Sequence, residues 1–188
     1  MNVVLLGGNG YIGRAVTKEW LQRDPKAIFY IVSRSGNNKL SNSRIHNLKV
    51  SDLSMEIVQK LPKQIDYIVD FIGRPEKDVD LLKQINIEPA KIMKAIAEEK
   101  QVKAMGFIGG VLGPKSFTSI KKEIISMLKG SSIPVKYVEP TLVYGADRND
   151  GLSKMVPMFK LLGLLSKSMK PVNVEELATT LVTKLRSE

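Results

Sequence analysis

Apolar and polar positions along this chain fall into two alternating kinds of block. Short apolar runs at Val3–Leu6, Ile28–Val32, Ile45–Val50, Tyr67–Ile72, Val102–Ile108 and Val135–Val138 have the length of β-strands. Between them, apolar residues recur at helical spacing over Tyr11–Arg23, a short stretch near Met55–Leu61, Val79–Lys100 and Phe117–Lys129. Pro89 falls inside the Val79–Lys100 stretch and predicts an interruption there, or a first turn beginning at it. After Pro171-Val172-Asn173 a last helix is expected over Val174–Arg186, with Asn173 and Glu176 spaced as an N-cap and its reciprocal partner. Strands that alternate with helical crossovers predict an α/β fold, a doubly wound parallel sheet. Right-handed crossovers favour the strand order 3-2-1-4-5-6, with ligands outside the carboxyl ends of the strands.

The first strand runs straight into Gly7-Gly8-Asn9-Gly10-Tyr11-Ile12-Gly13. Gly8, Gly10 and Gly13 satisfy G-x-G-x-x-G, and Gly7, Gly10 and Gly13 satisfy G-x-x-G-x-x-G. Missing side chains let such a turn tighten and let its backbone approach a pyrophosphate, which meets unpaired N–H groups at the start of the following helix. The competing reading is a glycine turn with a structural role alone. Its place between a strand and an amphipathic helix is the context the fingerprint needs, so a Rossmann-type dinucleotide-binding domain is expected.

Charge refines the expected ligand. The second strand ends at Val32-Ser33-Arg34, about 20 residues past the last glycine, where an NAD site usually carries an acid for the ribose hydroxyls. From Pro25 to Ser51 there is no Asp or Glu, while Lys26, Arg34, Lys39, Arg44 and Lys49 are present. A guanidinium at Arg34 can stack on adenine and pair with a 2′-phosphate, Ser33 can donate to the same group, and Arg14 is placed to assist. NADP(H) is therefore expected over NAD(H), against the alternative of a solvated basic loop. Asp52-Leu53, after the third strand, has either an adenine-contacting role or a helix-capping one. Gly73, after the fourth strand, would let the cofactor ribose come close, and Arg74 would meet a phosphate or an acidic substrate unless it is simply an exposed loop arginine.

The chain has 188 residues, 43% hydrophobic and 26% charged, which suits one globular domain over 1–188. Within it, about 147–188 is expected to form a substrate-side segment and closing helix. Absence of cysteine and a single histidine, His46, leave only carboxylates as metal ligands, so no metal is expected. The net charge of +10 points to an anionic partner. Its spread along the chain favours a phosphate-bearing small molecule over nucleic acid. No run approaches the roughly 18 apolar residues of a membrane span, and the start lacks a signal-peptide pattern, so a cytoplasmic protein is expected.

These residues together resemble the atypical and extended short-chain dehydrogenase/reductases, the superfamily that includes the NAD-dependent epimerases and the NmrA-like cofactor sensors. The resemblance rests on Gly7–Gly13, Asp52-Leu53 and Asn86, on Pro140-Thr141-Leu142-Val143-Tyr144-Gly145, and on Pro171-Val172-Asn173-Val174-Glu175-Glu176-Leu177-Ala178. Glu139 stands where the first of the last two signatures usually has Arg. The superfamily's catalytic centre implies a serine, a tyrosine and a lysine. Here the Y-x-x-x-K segment reads Phe117-Thr118-Ser119-Ile120-Lys121, and the expected serine position reads Ile108-Gly109-Gly110-Val111-Leu112-Gly113. Lys121 is expected to hold the nicotinamide ribose, with Ser116, Thr118 or Ser119 as alternative hydroxyls. Tyr144 is the remaining candidate acid, and packing is its competing role. The chain is shorter than the epimerases it resembles, whose C-terminal extension builds a sugar-nucleotide pocket, so a sugar nucleotide is not the expected substrate. Residues 147–170, rich in Met and Leu among lysines, read as cover for a small apolar substrate or contact with an anionic membrane or partner. Core packing is the competing reading. Two functions follow: an NADP(H)-dependent oxidoreductase acting on a small carbonyl or quinone-like acceptor, or a non-catalytic cofactor-binding sensor or assembly protein.

Overall fold

A computed structural model describes residues 1–146 and 171–187. The elements run β1 (Asn2–Leu6), α1 (Tyr11–Arg23), β2 (Ile28–Ser33), β3 (Ile45–Lys49), a 3-10 turn (Met55–Lys60), β4 (Tyr67–Asp70), α2 (Val79–Lys100), β5 (Ala104–Ile108), α3 (Lys115–Lys129) and β6 (Val135–Val138). β7 (Val143–Tyr144), β8 (Val172–Asn173) and α4 (Val174–Arg186) follow. All pairings in the main sheet are parallel, in the order β3-β2-β1-β4-β5-β6. This is the doubly wound Rossmann arrangement that the alternation of strands and helices predicts.

Two apolar layers hold the helices to the sheet. On β1, Val3 and Leu5 face a core shared with Val16 and Trp20 of α1 and Leu177, Leu181 and Leu185 of α4. Val4 and Leu6 face the other core, built from Leu82, Met93 and Ile96 of α2 and Ile120, Ile124 and Leu128 of α3. The two-residue period of a strand sends alternate side chains to opposite faces, so a strand covered on both sides must be apolar throughout. β1 is buried along Val3–Leu6 for that reason. Trp20 packs between Phe29 and Tyr67, with ring centroids 6.2 and 5.3 Å away.

Three local expectations are corrected. α2 continues unbroken through Pro89, although Pro89 cannot donate to the Ile85 carbonyl. Apolar burial of Leu82, Ala90, Met93, Ile96 and Ala97 along one face outweighs the lost bond. Met55–Lys60 is a 3-10 turn, with Ser54 at its N-cap. Pro171-Val172-Asn173 does more than cap: Val172 and Asn173 pair with Val143 and Tyr144 as a second, two-stranded parallel sheet. Asn173 still caps α4, its side chain accepting the Glu175 N–H at 2.8 Å rather than that of Glu176.

Candidate dinucleotide cleft

The turn between β1 and α1 is built as the glycines require. Gly7 has φ +72, and a β-carbon on it would lie 2.8 Å from the Ile72 side chain. One on Gly13 would lie 2.5 Å from the Gly8 α-carbon, so α1 meets the end of β1 at a distance only glycine permits. Gly10 is the N-cap of α1 and offers no side chain. The first bond of the helix ladder runs from the Arg14 N–H to the Gly10 carbonyl, at 3.0 Å, so the earlier N–H groups point out of the helix end. Arg14 steadies the turn by donating to the Asn9 carbonyl at 2.8 Å, and Tyr11 donates its hydroxyl to the Gly145 carbonyl at 2.8 Å.

Around this turn opens a cleft of about 1240 Å³ along the carboxyl edge of the sheet. Of the residues singled out from the sequence, Gly7, Asn9, Gly10, Ser33, Arg34, Asp52, Leu53, Gly73 and Arg74 line it. Gly8, Tyr11, Ile12 and Gly13 stand behind the lining, in the turn and first turn of α1. Ser33 accepts a bond from Asn9 Nδ2 at 2.7 Å and from the Gly36 N–H at 3.1 Å, which fixes the loop after β2 against the glycine turn. Arg34 is exposed and makes no ion pair among the described residues. Arg44, from the same basic stretch, is committed elsewhere, donating to the Asp24 and Leu21 carbonyls at the end of α1. Asp52 is exposed on the cleft wall and does not hold the cap position, which Ser54 occupies. The α2 face opposite contributes Leu81, Gln84, Ile85, Glu88, Pro89 and Ile92, which periodicity alone did not single out for the cleft.

Lys121 does not line this cleft but abuts it behind Gly73. It lies on α3, 6% exposed, with Nζ 4.6 Å from the Phe107 ring centroid and 5.5 Å from that of Phe117. Gly73 has φ +132, and a β-carbon there would run into Asn86 Oδ1 and stand 3.2 Å from Lys121 Nζ. Asp70, the one acid closing the apolar strand Tyr67-Ile68-Val69-Asp70, has no sequence signal of its own that marks it for the site. It is 1% exposed, with Oδ1 accepting the Ile72 N–H at 2.8 Å. Burial pushes its carboxyl up to about 7, opposed by the Lys121 charge and the Ile72 N–H. Burial likewise pulls Lys121 below the usual lysine range, against the attraction of Asp70. Tyr144 sits on β7, outside the cleft lining. The segment 147–170, expected to cover the substrate or meet a membrane, lies outside the described residues. Among the described residues no helix is long and apolar enough to cross a membrane.

The model of the NAD dependent epimerase/dehydratase family matches residues 3–111, which span the glycine turn, both cleft walls and the strands beneath them. The chain belongs to this family. Solved structures of the same architecture include the WbmG enzyme of Bordetella bronchiseptica in complex with NAD and UDP (TM-score 0.75, 14% identity), which covers 98% of this chain and 69% of that one. WbmH of the same organism, in complex with NAD+, has a TM-score of 0.73 at 15% identity, covering 98% and 71%. UDP-N-acetylglucosamine 4-epimerase from Bacillus cereus has a TM-score of 0.72 at 14% identity, covering 100% and 74%. At such identities the likeness is one of fold. No curated protein matches the chain by sequence. The family match places this member among the extended short-chain dehydrogenase/reductases, as its motifs imply.

Proposed function

We propose that this family member binds a nicotinamide dinucleotide along the cleft, NADP(H) in preference to NAD(H), and passes hydride to a small carbonyl or quinone-like acceptor. The observation that carries the reading is the basic end of the cleft: β2 delivers Arg34 and Ser33 to its wall, and the segment from Pro25 to Ser51 holds no acid that could receive ribose hydroxyls at the end of that strand. The glycine turn fits a pyrophosphate, because Gly7 and Gly10 line the cleft without side chains and the N–H groups that precede Arg14 at the start of α1 lie outside the helix ladder. Asp52 and Leu53 stand on the wall where adenine would lie, and Arg34 is positioned to stack on it and pair with a 2′-phosphate. Gly73 would admit the nicotinamide-side ribose, with Lys121 behind it. The NAD named in the WbmG and WbmH complexes supports a nicotinamide dinucleotide without bearing on the 2′-phosphate.

When bound, the reduced cofactor supplies the hydride. The chain supplies position, a basic anchor at the adenosine end and a largely apolar wall from α2. Phe117, standing where the superfamily has its tyrosine, favours a second reading, a cofactor-binding sensor that changes its affinity for a partner. Anaerobic NADPH oxidation against a panel of quinones and aldehydes separates the two. Turnover above the uncatalysed rate with at least one acceptor is the expected result. Tight binding with no turnover across the panel would replace the oxidoreductase by the sensor.

A further inference from the structure

At the end of the cleft away from Arg34, Asn86 and Lys121 close in behind Gly73, and the buried Asp70 precedes that glycine by three residues at the end of β4. Ile68 and Asp70 point into the α2–α3 layer, since Tyr67 and Val69 belong to the opposite core. Among the described residues, Asp70 Oδ2 is buried without a hydrogen-bond partner, and so is Asn86 Oδ1. Asn86 spends its amide group on the Arg74 and Leu82 carbonyls, at 3.0 and 2.8 Å. Lys121 Nζ makes no ion pair or hydrogen bond among the described residues and rests on the two phenyl rings. A buried polar group left unpaired opposes folding, so the Asp70 and Asn86 oxygens, beside a ligand cleft and in the layer that holds Lys121, call for a functional explanation. Lys121 and Asp70 are also the charges that act on one another here, with the Ile72 N–H as the remaining polar influence.

We propose that Lys121 is the proton donor of this site, its ammonium protonating the oxygen of a bound carbonyl acceptor, and that Asp70 is the positioning residue that holds and reloads it. The proposal rests on the reading of the cleft as a reduced-dinucleotide site. The acceptor's carbonyl carbon gains a C–H bond from the hydride, and the C=O π pair moves to oxygen. That oxygen takes a proton from Lys121 Nζ and becomes a hydroxyl. Lys121, now neutral, regains a proton from the Asp70 carboxyl through an intervening water, and Asp70 recovers one from solvent. The net change is one hydride and one solvent proton added to the acceptor. Phe117 contributes by desolvating the ammonium, which makes it a stronger acid than an exposed lysine.

The test begins on ligand-free protein, by following the lysine Nζ resonances with 15N NMR across pH, with Lys121→Met to assign the signal. Lys121 should titrate below the other lysines, and Asp70→Asn should lower its midpoint by about one further unit. Asp70→Glu should return it toward the wild-type value. An unmoved midpoint in Asp70→Asn overturns the pair. If Asp70→Asn does not fold, the wild-type Asp70 carboxyl followed by 13C NMR decides the matter: its midpoint should rise in Lys121→Met, and a constant one overturns the pair. The second arm is the pH profile of kcat for NADPH oxidation by 4-nitrobenzaldehyde. Its alkaline limb should coincide with the Lys121 midpoint and move down in Asp70→Asn with KM little changed; a limb that stays put overturns the donor role. Wild type that binds NADPH without turning over also overturns the donor role and leaves the cofactor assignment standing. Failure to bind NADPH removes both, while the resonance titration still decides whether the pair exists.

Discussion

Arg34 and Asp70 carry opposite kinds of information, one exposed at the cleft wall with no ion pair among the described residues, the other sealed behind it. A charge-assisted bond from Arg34 to a 2′-phosphate is worth about 1.5–3 kcal/mol, so Arg34→Ala should weaken NADPH binding by roughly 10–100-fold. NADH, which lacks that phosphate, should lose far less; isothermal titration of both cofactors against both proteins measures the difference. Asp70 makes its prediction through stability. Its folded pKa, about 7, lies above the unfolded value of 3.8, so the native state binds more protons between those limits. Stability contributed by this group is therefore full below about pH 4 and lost as pH rises toward 7, by at most about 4 kcal/mol. Urea unfolding of wild type from pH 4 to 7.5 should show that slope, and Asp70→Asn should flatten it. An unchanged slope in the variant would mean that Asp70 is not the group responsible.

At the scale of the elements, periodicity and turn chemistry placed β1, α1, β6 and α4 well, because each has a burial pattern or glycine signal of its own within a few residues. What escaped them depends on partners far along the chain. Val143–Tyr144 becomes a strand only by pairing with Val172–Asn173, and α2 keeps its course through Pro89 because its buried face packs into the core it shares with α3 and the sheet. The candidate site divides the same way. The glycine turn and Arg34 are local patterns, whereas the juxtaposition of Asp70, Asn86 and Lys121 draws on β4, α2 and α3, and their spacing in sequence gives no sign of it. Two element-level changes test this account. Gly13→Ala puts a methyl 2.5 Å from the Gly8 α-carbon, backbone against backbone, and should cost about 1–3 kcal/mol in chemical denaturation and most of the cofactor affinity. Asn173→Ala removes the cap of α4 and should cost about 1 kcal/mol with little change in cofactor affinity, since α4 packs on the sheet away from the cleft lining.

Over the whole molecule, family membership and fold locate a ligand cleft at the carboxyl edge of the sheet, where the chain leaves the neighbouring strands β1 and β4 toward opposite sides. The net charge of +10 lends that cleft a long-range attraction for anions, which salt screens over a Debye length of about 8 Å at physiological ionic strength. The central claim is that the basic end of the cleft selects the 2′-phosphorylated cofactor. It is tested most directly by titrating wild type and Arg34→Ala with NADPH and NADH at one fixed salt concentration, following nicotinamide fluorescence. The account predicts tighter binding of NADPH by wild type and loss of that preference in Arg34→Ala. Equal affinity for the two cofactors, or a preference that survives the substitution, would contradict it.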